Sequence, residues 1–302
     1  MDGGFPYVGL GDIIWYIFFL WLFLTFITPQ LRYRALQNAR TEVIRRLERR
    51  LGAKVVTMIH RQERISLFGI PVYSFITIED SEAVLRAIRS TPPDTPIALV
   101  LHTPGGLVLA ASQIAMALKR HPAKKIVIVP HYAMSGGTLI ALAADEIWMD
   151  KDAVLGPLDP QLVLGDKTVP APSILRVVKL KGVEKVSDET LVLADVAEKA
   201  VGQMKRLVEE LVRDKVGPEK ASEVAERLVG GYYTHDYPIT VDELKKLGLP
   251  VRDELPEEVY ALMELYPQEG IRRPAVEYIP GVPRRVHQPT APHGGAATGG
   301  RR

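Results

Sequence analysis

No cysteine occurs among the 302 residues. Disulfides, thiolate nucleophiles and cysteine-ligated zinc are therefore excluded, and a thiol-free chain suits a reducing compartment. Net charge is nearly absent too. Thirty-eight basic side chains against 36 acidic ones leave +2, so the overall balance carries no nucleic-acid signature and no nucleic-acid partner is expected. No Gly-x-Gly-x-x-Gly fingerprint marks a dinucleotide site. No cofactor and no metal are expected.

Charge is also missing from one particular place. Residues 13–27, Ile-Ile-Trp-Tyr-Ile-Phe-Phe-Leu-Trp-Leu-Phe-Leu-Thr-Phe-Ile, are fifteen positions without a charged side chain. Counted from Val8 to Thr28 the run is twenty-one residues, broken by Asp12. A spanning helix needs about 20 apolar residues. A signal peptide wants a basic start and a small-residue cleavage site, and neither is there. An interfacial helix carries a charged face, also missing. The run predicts one N-terminal transmembrane helix, an anchor over residues 1–30.

Lys and Arg are absent before this run. After it come Arg32, Arg34, Arg40, Arg45, Arg46, Arg49, Arg50 and Lys54, against only Glu42 and Glu48. The positive-inside rule then places the rest of the chain in the cytoplasm, as a single-pass protein of the cell membrane. Leu36, Val43, Ile44, Leu47 and Leu51 recur at helical spacing, so residues 31–52 read as a basic juxtamembrane helix. It is either a solvated face or a surface lying on anionic lipid headgroups.

From residue 53 to 269 strand-like and helix-like runs alternate. Ile97-Ala-Leu-Val-Leu-His102 and Lys125-Ile-Val-Ile-Val-Pro130 are continuously apolar, as strands buried on both faces are. Each is followed by a glycine-containing turn and a helical pattern, over 107–120 and 136–144. Strands are also expected over 54–60, 71–78 and 146–149, and helices over 80–89, 188–216, 219–228 and 241–247. The class is α/β: a parallel sheet with crossover helices. Residues 156–185 read as a long polar connection, functional or mobile. Residues 270–302 lack periodicity and read as a disordered tail rich in Pro, Gly and Arg.

Two turns carry the chemistry, each at the carboxyl end of an expected parallel strand, where open α/β sheets bind ligands. In His102-Thr-Pro-Gly-Gly106 adjacent glycines let backbone N–H groups approach a ligand. In His131-Tyr-Ala-Met-Ser-Gly-Gly-Thr138 a serine flanked by small residues stands at the positive end of the next helix. A nucleophilic serine needs an exposed hydroxyl and N–H donors for the developing oxyanion. Ser135 is the candidate nucleophile. Gly106 and Gly136, with Gly105 beside them, are the candidate oxyanion hole.

His102-Thr-Pro-Gly-Gly106 and Ala133-Met-Ser-Gly-Gly-Thr-Leu-Ile-Ala-Leu-Ala-Ala-Asp-Glu-Ile147 resemble the signal peptide peptidase A and Clp peptidase class. More closely, they resemble the serine dehydrogenase proteinase family of membrane-associated Clp-like peptidases. Leu155-Gly-Pro-Leu-Asp-Pro-Gln161 and Thr234-His-Asp-Tyr-Pro-Ile-Thr240 match it too, and the likeness runs from about residue 54 to 251. It implies a Clp/crotonase-like fold, a serine peptidase, peptide or membrane-protein substrates, and a homo-oligomer.

The resemblance leaves the general base open. The signal peptide peptidase branch pairs its serine with a lysine on the long helix after it, which suggests Lys199, with Asp195 one turn earlier. The Clp branch uses Ser–His–Asp. Its aspartate falls on Asp236, but its histidine falls near 156–159, where this chain has none. His235 with Asp236 is the alternative base, and Lys179, Lys181 and Lys185 are further candidates. His102 reads as a wall of the site, and His131 as shaping the serine turn. Two other functions share the fold: a crotonase-type acyl-CoA enzyme, and a catalytically silent membrane scaffold.

Overall fold

The computed structural model describes residues 9–60, 65–67, 70–72 and 75–266. The expected tail over 270–302 and part of the strand expected over 71–78 lie outside them. Chain order begins with α1 (Leu10–Leu22), a π-helical turn (Phe23–Ile27) and α2 (Thr28–Leu51). Next come β1 (Lys54–Ile59), a hairpin of β2 (Ile65–Leu67) and β3 (Ile70–Val72), and α3 (Ile78–Ser90). Two strand–turn–helix units follow: β4 (Ile97–His102) with α4 (Val108–Arg120), and β5 (Lys125–Val129) with short β6 (Tyr132–Ala133) and α5 (Gly136–Leu142).

Beyond them lie β7 (Glu146–Met149), β8 (Val154–Leu155), the hairpin β9 (Gln161–Leu164) and β10 (Lys167–Pro170), and α6 (Ala171–Lys181). The described chain closes with α7 (Asp188–Val216), α8 (Pro218–Val229), β11 (Ile239–Thr240), α9 (Val241–Lys246), β12 (Val251–Arg252) and α10 (Glu257–Glu264).

The main sheet has the order β1-β4-β5-β7-β12 and all its pairs are parallel. Its continuous apolar runs follow from burial on both faces. Along β4, Ile97, Leu99 and Leu101 join the larger core with α3, α4 and α7. Ala98 and Val100 point the other way, onto Leu47 of α2 and Val259 and Leu262 of α10. A second small sheet, β11-β8-β6, carries the chain past the serine turn. The long helix α7 starts where Ser187 accepts a hydrogen bond from the Thr190 amide, and ends at Gly217 in a positive-φ conformation.

The structure changes three expectations, two by correction and one by addition. First, the apolar N-terminal run is helical but divided. Pro29 has no N–H to offer the carbonyl four residues back, and the Thr28 amide bonds to Phe23 O instead. Among the described residues no helix is long and apolar enough to cross a membrane, so the single spanning helix expected over 1–30 is not found. Second, α2 is part of the packed body. Leu47 is fully buried, Arg40 Nε donates to Leu265 O at 2.9 Å, and Arg50 pairs with Glu258. Third, residues 156–185 are not a plain connection, since they form β8's exit, the β9–β10 hairpin and α6.

Candidate active site

Strands β4 and β6 deliver the two turns to one place. The Thr103 amide donates to Tyr132 O (3.2 Å) and the Met134 amide to Thr103 O (3.0 Å), which zips the start of one turn to the start of the other. The chain then reverses into α5 through Ser135, with φ 48° and ψ −117°. Among the described residues it is the one non-glycine with positive φ. Side chains resist that region because Cβ crowds the backbone, and holding a serine there costs on the order of 1–3 kcal/mol. Burial of all seven residues of α5 enforces the turn. Thr138 adds a clamp: its hydroxyl lies 2.8 Å from both Ala133 O and Gly156 O and accepts from the Gly156 amide.

The glycine turn packs directly against this serine. A Cβ on Gly105 would stand 2.9 Å from Ser135 Cβ, and one on Gly106 would stand 2.4 Å from Ile76 backbone atoms. Only glycine fits either position. A Cβ on Gly136 would be 3.7 Å from the Gly106 nitrogen, so the two glycines stand side by side. The neighbouring amides are committed elsewhere, Gly105 to Thr103 Oγ1 and Gly137 to Met134 O.

A cavity of about 340 Å³ opens beside Ser135. Gly106 and Gly136 line it, together with Asp159, Gln161 and His235, and its apolar walls include Leu107, Leu139, Leu158 and Met204. The Asp159 carboxylate is only 1% exposed, and its Oδ1 lies 2.8 Å from His235 Nδ1. A carboxylate only accepts, so a proton on Nδ1 completes this bond and leaves Nε2 as an acceptor; Gln161 Nε2 lies 3.1 Å from the same Nδ1. Gln161 Nε2 donates to Asp159 Oδ2 at 2.6 Å and to Asp159 O at 3.2 Å. The segment is held from both sides, by Leu158 N to Leu228 O and by Ala171 N to Pro160 O, both 2.8 Å.

The expected residues divide into two sets. Ser135, Gly106, Gly136 and His235 meet at the cavity, and Gly105 supports it. Lys199 does not belong there. Its side chain is 66% exposed and paired with Asp195 on the solvent face of α7, whereas a lysine base needs a dry pocket to lose its proton. Met204 is the α7 side chain that reaches the cavity. Lys179, Lys181 and Lys185 are exposed. Asp236 is exposed as well, and the carboxylate on His235 is Asp159 instead. His102 is fully buried and packs its ring 4.3 Å from that of Tyr132, so it belongs to the core rather than the wall. His131 stacks over His102 at 5.8 Å.

The residues that sequence reasoning missed are Asp159 and Gln161. Their signal was present in Leu155-Gly-Pro-Leu-Asp-Pro-Gln161. An aspartate stands where the Clp pattern wants histidine, and a histidine stands next to where it wants aspartate.

A strained serine at the carboxyl edge of a parallel sheet, entering a buried helix and faced by glycine amides, defines the ClpP-like class of α/β proteins. The chain belongs to the ClpP-like SDH-type serine proteinase family, whose model matches residues 4–292. Two relatives come from Methanocaldococcus jannaschii. Uncharacterized protein MJ0137 is 58% identical over 271 residues, covering 90% of this chain and 92% of that one. Uncharacterized protein MJ1495 is 58% identical over 265 residues, covering 87% and 88%. Among solved structures, two mutant forms of the 1510-N membrane-bound stomatin-specific protease are similar at 18% identity. Their TM-scores are 0.44 and 0.43, over 70% and 67% of this chain and 82% and 75% of theirs. At that level the likeness says nothing about this chain's site.

Proposed function

We propose that the chain hydrolyses peptide bonds, with Ser135 as nucleophile, His235 as general base and Asp159 as its orienting carboxylate. Ser135 Oγ attacks the scissile carbonyl while His235 Nε2 takes its proton. The oxyanion forms between the Gly106 and Gly136 amides. His235 then gives the proton to the departing amine, leaving an acyl-enzyme on Ser135. Water, deprotonated by the same ring, releases the acid and restores the serine.

The observation that carries this reading is the bond from His235 to the buried Asp159 carboxylate, on the cavity that Ser135 lines. No fixed order of the three residues is required, because such triads are recognised by geometry. A crotonase-type reaction finds less support, because the cavity's one carboxylate is already committed to His235 and Gln161. Reaction of the full chain with a fluorophosphonate probe tests the proposal. Labelling at Ser135, together with loss of labelling and peptide hydrolysis in Ser135→Ala and His235→Ala, is expected. Full labelling of Ser135→Ala would end it.

Membrane attachment belongs to the same proposal. Apart from half-buried Leu22, the large apolar side chains over residues 13–27 stand 43–68% exposed, a patch that water does not tolerate uncovered. A bilayer covers it, basic α2 meets the lipid headgroups, and the catalytic body faces the cytoplasm. Peptides or membrane-protein segments are then the substrates, and a homo-oligomer is the working assembly. Protease added to intact cells should leave the catalytic body uncut, and its digestion would reverse the orientation.

A further inference from the structure

A second histidine lies behind the glycine turn, outside the cavity. His60 follows β1, and its side chain is 11% exposed. Its Nδ1 is 2.8 Å from Thr103 Oγ1, and its Nε2 is 3.3 Å from Asp80 Oδ2. Asp80 is itself held by α3, where its carboxylate caps the helix through the amide and hydroxyl of Thr77. Thr103 is fully buried. Its oxygen accepts from the Gly105 amide at 3.2 Å, and Gly105 O lies 3.4 Å away. The four residues form a line of hydrogen bonds, Asp80–His60–Thr103–Gly105, that ends on the peptide before Gly106.

We infer that His60 is a positioning residue for catalysis: through the Thr103 hydroxyl it fixes the peptide plane whose N–H, at Gly106, receives the oxyanion. This rests on the peptidase reading above. The argument is one of hydrogen-bond directions. With its Nε2 proton on Asp80, neutral His60 offers Nδ1 as an acceptor, so the single Thr103 hydroxyl proton points to it. That leaves a lone pair for the Gly105 amide. Gly105 O is then free to accept from the Ile76 amide at 2.7 Å. In a trans peptide the carbonyl and the following N–H point in opposite directions. Holding Gly105 O on Ile76 therefore aims the Gly106 N–H away from Ile76, on the side where Gly106 lines the cavity.

Protonating His60 reverses the line. Nδ1 becomes a donor, and the Thr103 proton turns to Gly105 O, where it competes with Ile76 for the carbonyl. The peptide plane loses its single setting. Burial holds the His60 pKa below the ordinary histidine value, against the pull of Asp80. Asp80 is the ionised group that faces the ring among the described residues. The neutral, well-directed form is thus the one present near neutral pH.

The test compares His60→Ala, His60→Asn, Thr103→Val and Thr103→Ser with the full-length wild type. Readouts are kcat and KM on a peptide substrate, the pH profile of kcat, fluorophosphonate labelling and thermal melting. His60→Ala and Thr103→Val should lower kcat by roughly tenfold to a hundredfold with KM nearly unchanged, because the oxyanion contact exists only in the transition state. Thr103→Ser restores the hydroxyl and should recover most of the rate. His60→Asn keeps an acceptor near the Nδ1 position without a titrating proton. It should recover part of the rate and lose the acidic limb that His60 contributes to kcat.

Two kinetic outcomes overturn the inference while leaving the peptidase reading intact. One is full kcat in Thr103→Val with normal labelling at Ser135. The other is a rate loss that tracks only the fall in melting temperature and is not recovered by Thr103→Ser. Absence of Ser135 labelling in the wild type instead removes the reading beneath it. Hydrogen exchange across residues 103–107 remains as a check independent of activity: it should quicken in Thr103→Val well before global unfolding, and unchanged exchange refutes the relay.

Discussion

Asp159 and His235 are 76 positions apart in the chain, yet carboxylate and imidazole meet at 2.8 Å. A proton on Nδ1 completes this bond and leaves Nε2 as an acceptor on a ring that lines the same cavity as Ser135. Asp159→Asn keeps the shape but replaces an acceptor with an amide whose orientation can favour the wrong tautomer. Its kcat should fall on the order of 10³–10⁴-fold with folding preserved. Asp236→Asn should stay within a few-fold of wild type. The opposite pattern, measured on the same peptide substrate, would return the orienting role to Asp236.

Ser135 carries backbone strain. Ser135→Gly removes the hydroxyl and also the Cβ that makes φ 48° unfavourable. The variant should be inactive and yet more stable than wild type, by about 1 kcal/mol in chemical denaturation. Loss of stability comparable to an ordinary glycine substitution would mean that the turn is not strained.

Lys199 tests the base from the other side. Its exposed i,i+4 pair with Asp195 contributes no more than about 0.5 kcal/mol. Lys199→Ala should therefore leave kcat/KM within about twofold and melting nearly unmoved. A severe drop in activity would make lysine the base after all.

A different lysine does sit in a dry place. Lys215 of α7 donates to Leu142 O and Ala144 O at the end of α5, 2.5 and 2.8 Å away. Burial first, then the nearby Lys119, pulls its pKa down to about 7; Lys125 adds to this, while Asp145 and Asp214 oppose it. A neutral amine still has two hydrogens for the two carbonyls. Between pH 7 and the unfolded value of 10.5 the unfolded chain holds a proton that the folded chain has released. Stability from this group therefore rises with pH across that window. Relative to Lys215→Met, the wild type should gain on the order of 3 kcal/mol from pH 7 to 10. Parallel stability curves for the two proteins would refute the shift.

Much of the architecture was legible residue by residue. The runs at Ile97–His102 and Lys125–Val129 are apolar at every buried position, a pattern set by burial on two faces. The long helix over Asp188–Val216 was bounded by its own Ser187 and Gly217. Ser135 and the glycines at 105, 106 and 136 stood out because small residues and special dihedrals are written into the local sequence. These are short-range properties, decided within a few residues of the position concerned.

What the sequence could not determine by itself was which distant groups meet. Lys199 and Asp195 are a plausible pair on any helix, and only the orientation of α7 turns them to solvent and Met204 to the cavity. His235 has Asp236 as its neighbour in the chain but Asp159 as its partner in space. The Leu158–Leu228 bond and the packing of α6 and α8 bring that segment alongside. Leu47 looked like one apolar residue on a basic helix until α10 closed over it. In each case the deciding contact is between segments tens to hundreds of residues apart. Hydrogen-bond direction and burial at such contacts follow from the path of the folded chain, and no local pattern encodes them.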